Sequence, residues 1–394
     1  MFHKINHFPY LYIVNLECIL LMSKDVVICG YVRSPFTPAK KGDLAKIRPD
    51  DLAAEVVKGL IKKYSIKVDD VEDLILGCAF PEAEQGMNLA RNVVFLSGLP
   101  NSVGGVTVNR FCASSMQAIH QAAGAIVSGS GELFIAGGVE SMSRVPMAGF
   151  NPMLNPSLVD MDAYIGMGHT AENLAIKHSI SREDQEKMAL TSHQKAAAAQ
   201  DGNFFENEII PVNGNAVDGC VRPETSLESM SKLKPAFNKD GVVTAATSSP
   251  LTDGAAAVLV CSADYANNND LEILAYIRGM AVSGCAPEIM GIGPVLSSQK
   301  AIERAGINLE DVDIIEMNEA FAAQSLACVE ELGIDMSKLN IHGGAIAMGH
   351  PLGASGARIT GKAASLLKET GKRYALSTMC VGGGQGCATV LERA

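Results

Sequence analysis

Cys112 lies in Asn109-Arg110-Phe111-Cys112-Ala113-Ser114-Ser115-Met116, between the apolar alternating run 103–108 and a long alanine-rich segment. This order predicts strand, sharp turn and helix, because Met116, Ile119, Ala123, Ile126 and Val127 recur at helical spacing as far as about Ser128. A cysteine at such a helix start meets free backbone N–H groups and the positive end of the helix dipole, which favour thiolate over thiol. A buried structural cysteine is the competing reading of this segment alone. His350 stands in Gly349-His350-Pro351-Leu352-Gly353, with Gly343 and Gly344 before it and Gly356 after. Backbones approach closely in such surroundings and side chains do not fill a core, which weakens a purely structural role. Cys380 precedes Val381-Gly382-Gly383-Gly384 at an expected strand end, facing whatever the glycines admit. Asn318, in Asn318-Glu319-Ala320-Phe321, also ends a strand and offers an amide able to hold a water or a substrate oxygen. A thiol and a base within hydrogen-bond reach is the arrangement that nucleophilic catalysis asks for.

An internal repeat brings these residues together. Residues 52–80 read as a helix, the strand Val71-Glu72-Asp73-Leu74-Ile75-Leu76, then Cys78-Ala79-Phe80; residues 294–321 read as the helix 299–305, the strand Val312-Asp313-Ile314-Ile315-Glu316, then Glu319-Ala320-Phe321. Val71 and Val312 are 312 − 71 = 241 residues apart, and Cys112 and His350 are 350 − 112 = 238 apart. Two copies packed with matching faces would place the two turn-to-helix junctions side by side.

Elsewhere, Val26-Val27-Ile28-Cys29-Gly30 predicts a buried strand, and Asp50 and Asp51 are expected to cap a helix that buries Leu52, Val56, Leu60 and Ile61. A helix over 88–97, a strand from Leu133 and a return to the sheet at 256–260 continue the alternation, which predicts an α/β protein with a mostly parallel sheet covered on both faces. The polar stretch 146–239 reads as an inserted lobe. The expected organisation is residues 1–22 as an N-terminal extension, 23–145 with 240–268 as the first half, 146–239 as the lobe and 269–394 as the second half.

The chain of 394 residues is 47% hydrophobic and 19% charged, so it can bury a large core and divide into two or three domains. A net charge of −11 argues against a nucleic-acid surface, which concentrates Lys and Arg. Within the lobe, Arg222, Lys232, Lys234 and Lys239 face only Glu224 and Glu228, a pattern open to either a solvated surface or a small-anion site. Ten cysteines are scattered with no CxxC pair and no zinc-ligand spacing, so no metal is expected, and reduced thiols point to a cytoplasmic location. The apolar run 8–22 imitates a signal peptide but contains Asn15 and Glu17, lacks an A-x-A cleavage site and is short for a membrane span. Met22 is therefore the expected natural start, a targeting segment the competing reading, and no membrane insertion is expected.

From Met22 onward the sequence resembles the thiolase family. The resemblance rests on five strings in order: 109–116; Gly137-Gly138-Val139-Glu140-Ser141-Met142-Ser143; 318–321; Gly343-Gly344-Ala345 with Gly349-His350-Pro351; and 380–384. It implies two duplicated α/β halves with mixed sheets in a layered α-β-α-β-α core, plus an inserted loop lobe. It implies reversible Claisen chemistry: Cys112 as nucleophile with His350 as partner, Cys380 as acid or base, one oxyanion hole from His350 and a water held by Asn318, and a second from the N–H groups of Cys112 and Gly382. Coenzyme A would be a cosubstrate, with no tightly bound cofactor, and Arg222, Ser249, Met167 and Phe321 would stand at CoA-binding positions. A homodimer or homotetramer is expected. The segment 166–172 resembles the degradative branch, which implies thiolysis of 3-oxoacyl-CoA; acetoacetyl-CoA synthesis and a non-catalytic acyl-CoA or lipid carrier are the alternatives. A decarboxylating condensing enzyme would not be expected to carry Cys380. Two residues depart from the pattern. Ser115 stands where Gly is frequent and puts acyl-chain shape in question, and His342 stands where Asn is frequent, as a neutral substitute or a pH-sensitive group.

Overall fold

The computed structural model describes residues 24–394, and the expected extension at 1–22 lies outside the described residues. Among the described residues ten strands form one sheet: β1 (Val26–Arg33), β2 (Thr37–Pro38), β3 (Asp73–Gly77), β4 (Gly104–Val108), β5 (Leu133–Ser141), β6 (Thr252–Ser262), β7 (Ala275–Gly284), β8 (Ile314–Met317), β9 (Tyr374–Val381) and β10 (Gln385–Arg393). Their order is β4-β3-β5-β6-β1-β7-β10-β9-β8, with β2 beside β6. β1 and β7 meet through two residue pairs alone, Val27 with Tyr276 and Ile28 with Ala275, so the sheet divides into two halves at that seam.

The expected mostly parallel sheet is corrected to a mixed one. Parallel pairing is confined to β3–β4, β3–β5 and β8–β9, and the remaining neighbours are antiparallel. Strand–helix alternation dictates parallel pairing only where one helix makes the crossover. β6 returns beside β5 after the long polar segment, and β10 follows β9 through a tight turn, so both arrive antiparallel.

The helices of nine residues or more are α1 (Pro49–Lys63), α2 (Leu89–Ser97), α3 (Ser114–Val127), α4 (Met167–Lys177), α5 (Arg182–Asp201), α6 (Gly293–Ala305), α7 (Ala322–Leu332) and α8 (Leu352–Thr370). Asp50 and Asp51 lie in the first turn of α1 beside its positive end and do not cap it; Arg48 is the N-cap residue and Pro49 opens the helix. Successive strand residues point to opposite faces, and in this sheet both faces are apolar. Val27, Leu74, Leu76 and Ile135 pack with Leu52, Val56 and Leu89 from α1 and α2. Their strand neighbours Ile28, Ile75 and Ala136 pack with Ile119 of α3 and Ala357 of α8, in a cluster that also holds Ile314, Ala375 and Leu391 of the second half. Ile315, Leu376 and Val390 turn the other way, onto Ala301, Ile302, Ala322 and Cys328 of α6 and α7. The result is five layers, with α3 and α8 as the shared middle one. α8 is buried on almost every side, which its alanines and glycines permit. A Cβ on Gly356 would lie 2.4 Å from the backbone nitrogen of Met116, so glycine there sets how closely α8 approaches α3.

Residues 146–239 contribute no strand to the sheet. They are tied to the core by buried charges that are fully paired. Arg33 of β1 donates from both Nη atoms to Asp218 (2.7 and 2.8 Å) and from Nε to Glu208 (2.7 Å), and Lys362 of α8 donates to the other oxygen of Glu208 (2.9 Å). Removing one member of such a network strands its partner, at roughly 3–5 kcal/mol.

Candidate active site

The chain leaves β4 at Val108 and reverses within a few residues. Asn109 Oδ1 accepts the N–H of Phe111 (2.8 Å), and Ser114 Oγ accepts the N–H of Arg110 (2.9 Å) while donating to the carbonyl of Phe111 (2.6 Å). Phe111 is held at φ +42°, a left-handed conformation that costs a bulky residue on the order of 1–3 kcal/mol. These bonds form a short 3₁₀ turn over 111–113, so Cys112 precedes α3 instead of opening it. The N–H groups of Gly382 and of Cys112 itself are directed at Sγ, yet burial outweighs them and pushes the thiol up to about 11. The expected resting thiolate is thereby corrected to a neutral thiol: helix-end stabilisation falls off within the first turn, whereas the whole side chain is desolvated.

His350 occupies the matching junction ahead of α8. Its Nδ1 lies 2.6 Å from Ser355 Oγ, and that hydroxyl already donates its proton to the carbonyl of Pro351 (2.9 Å). With the hydroxyl proton given to Pro351, Nδ1 is assigned the hydrogen and the Nε2 lone pair accepts from Asn318 Nδ2 (3.2 Å). Burial first, and Arg358 second, lower the imidazole to about 3, so it rests neutral. Thr252 Oγ1 holds the backbone N–H of His350 (3.0 Å), and the N–H of Asn318 is fixed on the carbonyl of Thr378 (3.0 Å). Asn318 Oδ1 is buried and has no partner among the described residues. The two junctions stand together around α8, but in this state Cys112 and His350 share no hydrogen bond, because both ring nitrogens are engaged elsewhere. Ser355→Ala should release the tautomer. We expect kcat to fall roughly tenfold to a hundredfold, the scale of losing a histidine's outer partner, with KM for CoA unchanged; steady-state kinetics checks this.

Cys380 lies one residue before the end of β9, fully buried, and its thiol is raised well above the ordinary value, first by burial and next by Cys112. Reading the sequence did not single out Glu140. Its buried carboxylate accepts N–H bonds from Ala79 (2.8 Å), Phe80 (3.2 Å) and Gly353 (2.8 Å) and the amide of Gln85 (2.9 Å), tying the end of β5 to the first turn of α8. A charged residue at the end of a strand otherwise destined for burial was the available signal. For Ser355 it was the four-residue spacing from Pro351.

Met167 and Phe321 pack in one apolar cluster with Cys380. Phe321 also meets Phe237 edge-on at 5.8 Å. Arg222 is exposed and lines a cavity of ≈ 60 Å³ with His193, Ser248 and Pro250, the last two flanking Ser249, whose Oγ donates to the carbonyl of Ala320 (3.1 Å). Ser115 is fully buried and its Oγ accepts the N–H of Ala357 (2.8 Å), so it clamps α3 to α8. His342 is half-buried 4.6 Å from the ring of Phe204, and burial lowers it to about 4, which makes it a neutral group.

The family model for the thiolase N-terminal domain matches residues 26–264, and that for the thiolase C-terminal domain matches 271–393. The chain is 47% identical over 387 residues to a 3-ketoacyl-CoA thiolase of Aliivibrio fischeri, covering 94% of this chain and 100% of that protein. It is 45% identical over 388 residues to a 3-ketoacyl-CoA thiolase of Bacillus subtilis, covering 94% and 99%. Among solved structures, human mitochondrial 3-ketoacyl-CoA thiolase in complex with CoA superposes with a TM-score of 0.88 at 39% identity, covering 94% of this chain and 98% of that one. The Bacillus anthracis acetyl-CoA acetyltransferase superposes with a TM-score of 0.87 at 37% identity, covering 94% and 99%. Two matching domain models that together take in both halves of the site, with relatives aligned along nearly their whole length, establish that this chain belongs to the thiolase family.

Proposed function

We propose that the chain catalyses thiolysis of a 3-ketoacyl-CoA by coenzyme A, through an acyl group carried on Cys112. The observation that supports this most directly is a pair of buried thiols, Cys112 ahead of α3 and Cys380 near the end of β9, near enough for Cys112 to affect the ionisation of Cys380, with the Gly382 N–H directed at Cys112. The neutral Cys112 passes its proton to Nε2 of His350, which exchanges its contact with the Asn318 amide for the thiol, as sulfur attacks the 3-keto carbon. The bond between C2 and C3 then breaks, leaving an acyl thioester on Cys112 and the enolate of acetyl-CoA, which takes the proton of Cys380. The Cys380 thiolate next removes the proton of incoming CoA, whose sulfur attacks the acyl group and expels Cys112, and His350 returns the first proton. Negative charge develops on oxygen in both halves. For the enolate oxygen of acetyl-CoA, His350 with a water held on the free Oδ1 of Asn318 serves as donor; for the oxygen on the carbon bonded to Cys112, in both halves, the N–H groups of Cys112 and Gly382 do. Losing one such donor costs on the order of 3 kcal/mol of barrier.

Coenzyme A acts here as a loosely held cosubstrate, its nucleotide and pantetheine resting on the 146–239 lobe and its neighbours at Arg222, Ser249, Met167 and Phe321. The free state of the nine described cysteines fits a reducing cytoplasm, and we place the enzyme there as a homodimer or homotetramer. No helix among the described residues is long and apolar enough to cross a membrane. Synthesis of acetoacetyl-CoA would use the same groups in reverse. To test the reading, the protein is mixed with a 3-ketoacyl-CoA in the absence of free CoA, quenched and digested. The acyl mass is expected on the peptide holding Cys112, and its absence there would sink the mechanism.

A further inference from the structure

The turn that carries Gly382 is intrinsically loose. Gly383 and Gly384 follow at φ +77° and +78°, two successive left-handed residues without side chains, in the turn between Val381, the last residue of β9, and its partner Gln385, the first of β10. Glycine has the largest backbone freedom of any residue, so the turn needs an anchor if the Gly382 N–H is to stay aimed at Cys112 Sγ. One main-chain anchor is present at the far side, where the N–H of Cys285 donates to the carbonyl of Gly384 (2.7 Å). At Gly382 itself the anchor is a side chain: Gln385 Nε2 donates to the Gly382 carbonyl (3.1 Å).

Gln385 is held in turn by the residue two positions before the nucleophile. Arg110 Nη1 donates to Gln385 Oε1 (2.9 Å), and Arg110 Nε donates to Gln117 Oε1 on α3 (2.8 Å). The direction of this chain is fixed by chemistry. A guanidinium has donors alone, so the Gln385 oxygen must face Arg110 and its NH₂ must face the carbonyl. Neither side chain touches the sulfur. Together they join the Cys112 turn, whose carbonyl at Arg110 also accepts the N–H of Ala113 (3.0 Å), to the segment that supplies the other N–H of the hole. Gly382 meanwhile rests on the Phe111 ring, to which a Cβ there would approach within 3.3 Å.

We propose that Arg110 and Gln385 are positioning residues of the reaction: a side-chain relay that holds the Gly382 N–H in register with the Cys112 N–H across the two halves of the molecule. The inference rests on the acyl-Cys112 reading above. Its expected signature is on chemistry and not on binding, because an oxyanion donor displaced by about an ångström loses most of its effect on the transition state while the CoA contacts are elsewhere.

Gln385→Glu separates the two bonds of the relay. A carboxylate keeps the pairing with Arg110 but has no N–H for the Gly382 carbonyl, whereas Gln385→Leu loses both. We expect both variants to lose roughly tenfold to a hundredfold in kcat and in the rapid-quench rate of Cys112 acylation, with KM for CoA unchanged. Gln385→Glu should melt at the temperature of the unaltered protein, so it carries the test even where Gln385→Leu folds poorly. Full turnover by Gln385→Glu would overturn the relay, since the Arg110 contact alone would then be sufficient. A raised KM with unchanged kcat would overturn it too, by showing that Gln385 shapes binding. Cys112→Ala assayed alongside distinguishes the levels: if that protein keeps thiolysis, the acyl-Cys112 reading fails, whereas an inactive Cys112→Ala with an unimpaired Gln385→Glu sinks the relay alone.

Discussion

Cys112→Ala is expected to abolish thiolysis, lowering kcat roughly 10⁴-fold or more, the scale on which enzymes lose a covalent nucleophile. No neighbouring group can substitute. Cys380 is fully buried with its thiol raised, first by burial and next by Cys112, and the Gly382 N–H is directed at the sulfur of residue 112. The unaltered enzyme should show a companion pH dependence. With Cys112 near 11 and His350 near 3, both are neutral across the physiological range. Inactivation by iodoacetamide follows the small thiolate fraction, so its rate should rise about tenfold per pH unit from 7 to 10 without levelling. A plateau starting below pH 7 would mean a resting thiolate–imidazolium pair and would refute the neutral-pair assignment. Alkylation should fall on Cys112 before the more deeply buried thiols, and protection by acyl-CoA would place it in the substrate path.

The strings around Cys112, His350, Cys380 and Asn318 were legible because each joins a chemically distinctive residue to glycines or to a strand end, features that periodicity and turn chemistry expose directly. The repeat was legible for a related reason: both copies need the same alternation of faces, Ile28 against Val27 in one half and Ala375 against Leu376 in the other, to fill a middle and an outer layer. What stayed hidden depends on contacts between residues far apart in the chain. Parallel or antiparallel pairing of β6 could not be read from its own residues, because a strand arriving from a lobe carries no record of its direction. The ionisation of Cys112 was misread for the same reason. A helix start is visible locally, but enclosure by Leu352, Met379 and Val381 comes from α8 and β9. Glu140 and Ser355 each left a weak local signal, a charge at a strand end and a four-residue spacing from Pro351, but their partners Gly353 and His350 Nδ1 are set by the fold. The clamp made by Ser115 was hidden for the same reason, since its hydroxyl partner is the N–H of Ala357, 242 residues away in the chain.

Cys380→Ala should divide the reaction where Cys112→Ala stops it entirely. Acetyl transfer from acetyl-CoA onto Cys112 should survive, while exchange of the acetyl-CoA methyl protons with deuterium oxide should disappear and thiolysis should slow by the 10²- to 10⁴-fold that a positioned acid–base group typically contributes, roughly. The reason lies in what raises Cys380. Burial comes first and keeps the thiol protonated, as an acid must be when the acetyl-CoA enolate leaves. Cys112 comes second and opposes a Cys380 thiolate only when it is itself ionised; with Cys112 neutral at rest and neutral again as a thioester, burial is what keeps Cys380 protonated. The Cys380 thiolate needed to take a proton from CoA, or from the methyl of a second acetyl-CoA, is therefore the one left when the enolate has been protonated. Proton exchange accordingly reports on Cys380 itself and should be lost with its side chain. Proton NMR of acetyl-CoA in deuterium oxide reads the exchange, and mass spectrometry reads the acyl group. Undiminished exchange in Cys380→Ala would remove Cys380 from the proton-transfer step and assign it to another base.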